Sequence, residues 1–217
     1  MIDKAGAIAC LVFFGGCAQV AMVSVTPTLA AFARHQDRAT ADRLVEMEQK
    51  RDWTGMLALA RAQLLRDPAQ ENWWFLQGYA LSRQEQHQEA VESYRRALRL
   101  SPEDEEAWLA LGRSQRALGR GDEAIAAYRQ ALSYRPESAQ AYLALADTYL
   151  DQGQPDRALP NYRESVRYDP DLAAAWLGLA EAYQATGQPE KRDQALQGLR
   201  RLDPAAADRL EKQFRAN

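Results

Sequence analysis

The sequence predicts an all-α fold in which antiparallel helix pairs stack into a solenoid, and two observations lead to this prediction. First, five prolines follow one another at a constant interval of 34 residues: Pro68, Pro102, Pro136, Pro170 and Pro204. A period of this length indicates a stack of equal units. Second, apolar residues within each period recur with the three-to-four-residue spacing of amphipathic helices. Units this small bury their apolar faces only against neighbours, so the chain forms a linear array.

The composition fits one ordered domain with a short leader. Of the 217 residues, 47% are apolar and 26% are charged, which is enough apolar material for such a domain. The 27 basic and 30 acidic residues give a net charge of -3. Because a nucleic-acid-binding surface needs a basic excess, nucleic acid is not expected as a partner.

Residues 1–33 are predicted to be a signal peptide or a membrane anchor. No charged residue occurs in Ala5–Ala33. The most apolar part, Ala5–Phe14, is too short to span a bilayer by itself, which favours a signal peptide. The run Leu11–Ala18 resembles a bacterial lipoprotein signal, and this resemblance implies that Cys17 carries the lipid.

Two other interpretations of the leader stay open. An uncleaved helix over residues 5–33, at about 1.5 Å per residue, would cross a bilayer with some tilt. A signal cleaved near Ala31 or Ala33 is the third interpretation. Basic residues are concentrated after the segment, and for a retained helix this distribution favours cytoplasmic repeats. We expect a membrane-associated protein on the periplasmic side, held by a lipid or by a single-helix anchor, and the cytoplasmic orientation is the alternative.

Residues 34–70 are predicted to form a divergent repeat that caps the array. Two helical patterns occur there, and their expected core residues are Leu44, Met47, Trp53, Leu57, Leu64 and Leu65. At the other end, residues 205–217 are predicted to form a capping helix, because Ala207, Leu210 and Phe214 lie on one apolar stripe. Such caps cover the last exposed faces of a repeat array.

Between these caps we predict four units, over residues 71–104, 105–138, 139–172 and 173–204. In the second unit, Trp108, Leu111, Gly112, Gly119, Ala124, Tyr128, Ala131 and Pro136 stand at positions 4, 7, 8, 15, 20, 24, 27 and 32. This pattern resembles the tetratricopeptide repeat (TPR), and the resemblance implies a right-handed superhelix of helix pairs. The fourth unit departs from the pattern in its second helix, where Arg192, Leu196 and Leu199 replace an alanine, an aromatic residue and an alanine.

Small residues are expected to let the two helices of each pair approach closely. Position 8 holds Gly78, Gly112, Ala146 and Ala180, and position 20 holds Ala90, Ala124 and Ala158. Two small surfaces that face one another let helices pack near the short end of the usual interaxial distance. The large rings at positions 4 and 24 are expected to fill the remaining space.

The TPR resemblance implies that the first helices line a concave groove that binds a peptide. The candidate groove residues are Phe75, Tyr79, Arg83, Leu109, Arg113, Arg116, Leu143, Asp147, Asp151 and Glu181. Their order predicts an aromatic and cationic pole followed by an acidic pole. Such a groove suits an extended or helical peptide with an acidic end at the first pole and a basic end at the second. The alternative is that these are ordinary solvated charges and the partner binds elsewhere.

Trp73 gives a further pair of alternatives, because it is an extra aromatic residue beside Trp74. It either packs on the divergent repeat or forms an exposed binding hot spot.

The sequence offers little material for catalysis. Both cysteines precede Ala18, and the two histidines, His35 and His87, stand 52 residues apart without a surrounding motif. Neither a Gly-rich phosphate loop nor a nucleophile elbow occurs. We therefore expect a protein that is not an enzyme, with no metal, no cofactor and no small-molecule substrate.

The leader and the array together predict a membrane-attached, non-enzymatic scaffold that acts in the assembly or delivery of envelope proteins. This layout resembles outer-membrane lipoproteins that help to assemble pili or secretion machinery. It also resembles inner-membrane assembly factors of cytochrome c maturation, whose repeat domain holds the apocytochrome tail. A stable accessory subunit of a membrane protein complex is the alternative.

Overall fold

The computed structural model describes residues 38–216, and every regular element among them is an α-helix. The leader, with the predicted lipidation site Cys17, lies outside the described residues. The helices are α1 (Arg38–Gln49), α2 (Trp53–Arg66), α3 (Glu71–Arg83), α4 (His87–Leu100), α5 (Glu105–Ala117), α6 (Gly121–Tyr134), α7 (Ala139–Asp151), α8 (Pro155–Tyr168), α9 (Ala173–Ala185), α10 (Pro189–Leu202) and α11 (Pro204–Ala216). The predicted all-α array of helix pairs is confirmed.

The helices alternate between an inner and an outer layer. Helices α3, α5, α7 and α9 are the first helices of the four units, and each packs on the helix that follows it. Consecutive first helices also contact one another more extensively than consecutive second helices do. The array therefore curves towards the first helices, which line its concave face.

The turn inside each pair has one backbone conformation throughout the array. At position 15, Gly119, Gly153 and Gly187 adopt φ values of 73°, 69° and 68°. Glu85 has the same left-handed conformation in the first unit, with φ 62°. Arg51, 34 residues earlier, does so between α1 and α2, with φ 53°. The pair formed by α1 and α2 thus turns as the four units do.

The glycines at position 8 face tyrosine rings rather than small residues. A Cβ atom on Gly78 would lie 2.7 Å from the Tyr94 ring, and Gly112 faces Tyr128 in the same way. The expectation that the alanines of position 20 face these glycines is therefore corrected. Ala90 and its equivalents are buried, but the ring at position 24 fills the space that a side chain at position 8 would need.

Tryptophan at position 4 ties three of the four units to the loop before them. The indole Nε1 donates a hydrogen bond to the carbonyl oxygen of the proline six residues earlier: Trp74 to Pro68 at 2.9 Å, Trp108 to Pro102 at 2.7 Å, and Trp176 to Pro170 at 2.8 Å. The third unit has Tyr142 instead, which stacks on Tyr168 with ring centroids 5.7 Å apart. The position is thus a loop anchor as well as a packing position.

The two ends of the array differ in how well the sequence predicted them. Leu44, Met47, Leu57 and Leu64 are buried, whereas Leu65 is 88% exposed and does not belong to the core. Leu64 and Leu65 are neighbours on one helix, so they point in different directions and only one faces α3. At the other end, Ala207 and Leu210 of α11 are buried against the preceding pair.

Candidate peptide-binding groove

Charged residues of neighbouring first helices meet directly in the groove. Arg116 on α5 donates from Nε to Oδ2 of Asp151 at 2.6 Å and from Nη1 to Oδ2 of Asp147 at 3.5 Å, both on α7. Arg116 and Asp147 are half-buried, and Asp151 is exposed. The prediction of separate cationic and acidic poles is therefore wrong at this point, because the two signs neutralise one another across the joint between units.

A tyrosine from the second helix of the third unit also reaches Asp147. The hydroxyl of Tyr162, whose side chain is buried, donates to Oδ1 of Asp147 at 2.7 Å. Burial raises the pKa of Asp147, although the hydrogen bond from Tyr162 and the charge of Arg116 act in the opposite direction. Asp147 is thus held in place from two sides, and its orientation towards the groove is set by the core.

Glu181 is the next carboxylate along the groove, at the position of α9 that Asp147 holds on α7. It is half-buried, and within residues 38–215 its carboxylate has neither a hydrogen bond nor an ion pair. Burial raises the pKa of Glu181, and the negative charge of Asp147 adds to the effect. A cationic group placed between the two carboxylates would offset the cost of burial and the repulsion from Asp147.

The first end of the groove is closed by the pair α1–α2. The Tyr79 hydroxyl donates to Glu48 at 2.8 Å, and its ring meets Trp53 edge to face at 6.1 Å. The guanidinium of Arg83 lies 4.7 Å above the Trp53 ring. The predicted aromatic and cationic pole is therefore engaged by the capping pair, and the open part of the groove begins further along.

Of the other predicted groove residues, Phe75 and Leu109 are buried in the core, Leu143 is half-buried and Arg113 is exposed. Phe75 is 7% exposed and Leu109 is 3% exposed, so neither lines an open surface as predicted. Phe75 packs on the Tyr94 ring of its own unit, with ring centroids 5.6 Å apart, and Leu109 belongs to the apolar core that includes Tyr128. Leu143, at the same position on α7, is only half-buried. Arg113 is exposed and contacts Glu106 at 3.3 Å.

The open groove thus runs from Arg113 along Arg116, Leu143 and Asp147 to Glu181. Sequence reasoning missed Tyr162, since a residue of a second helix was not expected to reach the groove. A signal was present, because Tyr162 and Asp147 are 15 residues apart in one unit, where the second helix folds back on the first. No comparable spacing in the sequence indicates that Tyr79 and Arg83 contact the capping pair.

Trp73 packs against the divergent repeat, which is the first of the two predicted alternatives. Its side chain is 3% exposed, and its Nε1 donates to Gln70 at 2.9 Å. It packs in the core that the capping pair shares with the first unit and does not form a surface hot spot.

Metal-ligand clusters and membrane-spanning helices are absent from the described part of the chain. Within residues 38–215, no three His, Cys, Asp or Glu side chains converge as metal ligands would. Over the same range, no helix combines the length and the apolar character that a membrane crossing requires.

Family models match most of the repeat array. Residues 103–209 match the model described as "Cilia and flagella-associated protein 70 C-terminal domain", and residues 78–119 match the TPR repeat model. Together the two matches extend over residues 78–209. No curated protein sequence matches the chain significantly.

Solved structures share the fold at low sequence identity. A crystal structure of MamA superimposes with a TM-score of 0.66 at 20% identity, covering 83% of this chain and 94% of MamA. YrrB, described as "a TPR protein with an unusual peptide-binding site", gives a TM-score of 0.64 at 18% identity, and the alignment covers 86% of this chain and 98% of YrrB. TTC0263, a thermophilic TPR protein of Thermus thermophilus, gives a TM-score of 0.62 at 16% identity. The alignment covers 79% of this chain and 93% of TTC0263. Repeat positions, helix-pair geometry and these matches agree: the chain belongs to the tetratricopeptide repeat family.

Proposed function

We propose that the protein is a non-enzymatic scaffold for protein–protein interaction, which binds a segment of a partner protein along the groove from Arg113 to Glu181. The observation that carries this proposal is Glu181, a half-buried carboxylate that has no counter-ion within the described residues and lies near Asp147. Such a group is costly to keep charged unless a cation joins it. The peptide-binding site described for YrrB, a protein of the same fold, lends further support.

The groove charges specify the segment that would bind. Two arginines, Arg113 and Arg116, stand with four carboxylates: Glu106, Asp147, Asp151 and Glu181. The excess is negative and lies at the Glu181 end, so the segment carries a basic side chain there. An apolar side chain on Leu143 would accompany it. At the other end, the ion pair between Arg113 and Glu106 is exposed and is easily exchanged for a carboxylate of the partner.

Site-specific crosslinking tests this proposal. The photoreactive amino acid p-benzoylphenylalanine replaces Leu143 in the groove or, as a control, Gln130, which is exposed on a second helix. We expect an adduct with one protein from position 143 alone, with a lower yield after Glu181→Lys and an unchanged yield after Glu190→Lys, an exposed control. A folded Glu181→Lys protein that forms the same adduct in full yield would contradict the proposal.

We further propose that the leader attaches the scaffold to a membrane on the periplasmic side, where it serves the assembly or delivery of envelope proteins. The uncharged leader and the lipoprotein-like run at Cys17 support this proposal. Cys17→Ala should abolish palmitate labelling and release the protein from membranes, whereas Cys10→Ala should change neither. Labelling that survives Cys17→Ala would exclude Cys17 as the lipidated residue, and a wild-type protein that takes up no palmitate would leave the uncleaved helix or a cleaved signal.

A stable accessory subunit of a membrane complex is the second candidate. Exposed apolar side chains near the ends of the second helices favour it, namely Leu65, Leu100, Tyr134 and Leu202. A permanent partner would cover this edge. Co-purification from membranes at a fixed stoichiometry, stable to salt, would support the subunit, whereas substoichiometric recovery would support a transient scaffold. An apocytochrome tail crosslinked to position 143 would identify an assembly factor of cytochrome c maturation.

A further inference from the structure

The large apolar side chains that are exposed within residues 38–215 all lie at one edge of the array. They stand in the last turns of the second helices α2, α4, α6 and α10, and they are Leu65, Leu100, Tyr134 and Leu202. We call this surface the apolar edge. Single exposed apolar residues are ordinary, but a set that recurs at one edge of a repeat array indicates a contact surface.

An arginine adjoins each residue of the apolar edge in the sequence. These neighbours are Arg66, Arg99, Arg135 and Arg201. Arg135 forms an ion pair with Glu105 at 2.9 Å, whereas the other three are exposed and form no ion pair with any described residue. The apolar edge therefore presents leucine or tyrosine side chains next to guanidinium groups in several successive units.

The apolar edge has no basic excess, because carboxylates stand in the loops that follow the second helices. They are Asp67, Glu103, Asp104, Glu137, Asp169, Asp171 and Asp203. A strongly acidic partner needs a surface with a net positive charge. The arrangement of apolar groups, guanidinium groups and a low net charge instead matches the interfacial region of a membrane.

The leader joins the array at this same edge. A first helix begins where the second helix of its pair ends, as the stacking of Tyr142, in the first turn of α7, on Tyr168, in the last turn of α8, demonstrates. The start of α1 at Arg38 therefore lies on the side of the capping pair where α2 ends. The uncharged leader ends at Ala33, and five residue steps reach at most about 18 Å to Arg38.

We propose that the apolar edge rests on the headgroup region of a phospholipid bilayer. The choice of a bilayer rests on the proposed membrane attachment, because the leader brings this edge to the membrane. The leucine and tyrosine side chains enter the boundary between headgroups and acyl chains, where tyrosine is favoured by its apolar ring and polar hydroxyl. The free arginines reach the lipid phosphates, whose oxygens match the donor geometry of a guanidinium group.

The accessory subunit considered above is the competing occupant of the apolar edge. Leu65 favours the bilayer, because it is the most exposed of the four residues, at 88%, and belongs to the capping pair that the leader joins. In the docked orientation the first helices begin at the membrane, and the groove between them stays accessible from the side. Docking thus holds the scaffold upright without occupying its groove.

Quenching by lipid measures this contact in the full-length protein. An environment-sensitive fluorescent amino acid replaces Leu100 or, as a control, Arg120, which is exposed at the opposite edge. The protein is reconstituted into phosphatidylcholine vesicles with or without brominated acyl chains, which quench probes at the acyl boundary. We expect blue-shifted emission and quenching at position 100, and neither effect at position 120. Vesicle-bound protein with no quenching at position 100, or with equal quenching at both positions, would overturn the proposal.

Flotation with the vesicles separates attachment from docking. Protein that fails to float would contradict the leader attachment and the docking together, whereas protein that floats without quenching at position 100 would contradict the docking alone. A blue shift in native membranes that the lipid vesicles do not reproduce would assign the apolar edge to a protein subunit and overturn the lipid assignment.

A variant of the neighbouring helix end tests the edge as a unit. With the probe at position 100, Leu65→Gln combined with Arg66→Gln should lower the quenching about twofold, because it removes an apolar and a cationic contact with the lipid. Arg120→Gln at the opposite edge should leave the quenching unchanged. All three positions are exposed, so we expect the helix content of the wild type by circular dichroism. Undiminished quenching in the folded double variant would refute the proposal.

Discussion

The left-handed turn at position 15 gives a prediction whose size follows from the backbone. Glu85 is held at φ 62°, where three other units have glycine, and its side chain is exposed. This conformation costs a residue with a Cβ atom about 1–2 kcal/mol. Glycine avoids that cost but loses about 0.5–1 kcal/mol more chain entropy on folding. Glu85→Gly should therefore stabilise the array by about 0.5–1 kcal/mol.

Thermal and urea unfolding, followed by circular dichroism, measure this change. For an array of this length the gain corresponds to a rise of about 1–4 °C in melting temperature. The reverse substitution, Gly119→Ala, is the matched control, because an added Cβ atom there meets nothing within 4 Å and only the backbone term changes. It should destabilise by a similar amount. A destabilised Glu85→Gly protein, or a Gly119→Ala protein as stable as the wild type, would refute the reasoning.

Three other substitutions test separate contacts. Trp108→Phe removes the hydrogen bond to Pro102 and should cost about 1–2 kcal/mol in urea unfolding, with an unchanged stability contradicting the anchor role. Leu172→Ser should stabilise α9 by about 0.5–1 kcal/mol in the same assay, since Leu172 occupies the N-cap without a side-chain bond; no gain would exclude a capping deficit. Burial in the folded protein raises the pKa of Glu181 above 4.5, its ordinary value in the unfolded chain. Stability is therefore lost as the pH rises from 4.5 through the pKa that Glu181 has in the folded protein. Glu181→Gln should therefore match the wild type at pH 3 and exceed its melting temperature at pH 7, and the opposite order would contradict the assigned burial.

The sequence predicted the helix pairs well because their determinants repeat. Position 15 needs a left-handed residue and position 32 a proline in each full unit, so Gly119 and Pro136 have meaning without knowledge of the rest of the chain. Position 4 was recognised as a ring, but its bond to the proline carbonyl was not. That bond depends on the path of the loop, which the periodicity does not specify.

The groove was predicted less well because its charges belong to different units. The positions of Arg116, Asp147 and Asp151 on first helices follow from the period, yet their pairing depends on how one unit is rotated against the next.

The proposed function is tested most directly by the affinity of the bound segment. A fluorescent peptide with the sequence crosslinked to position 143 is titrated with wild-type protein, Glu181→Lys and the exposed control Glu190→Lys. We predict that Glu181→Lys weakens binding at least tenfold, about 1.4 kcal/mol, while Glu190→Lys binds as the wild type does. Equal affinities for all three folded proteins would contradict the assignment of the groove as the binding site.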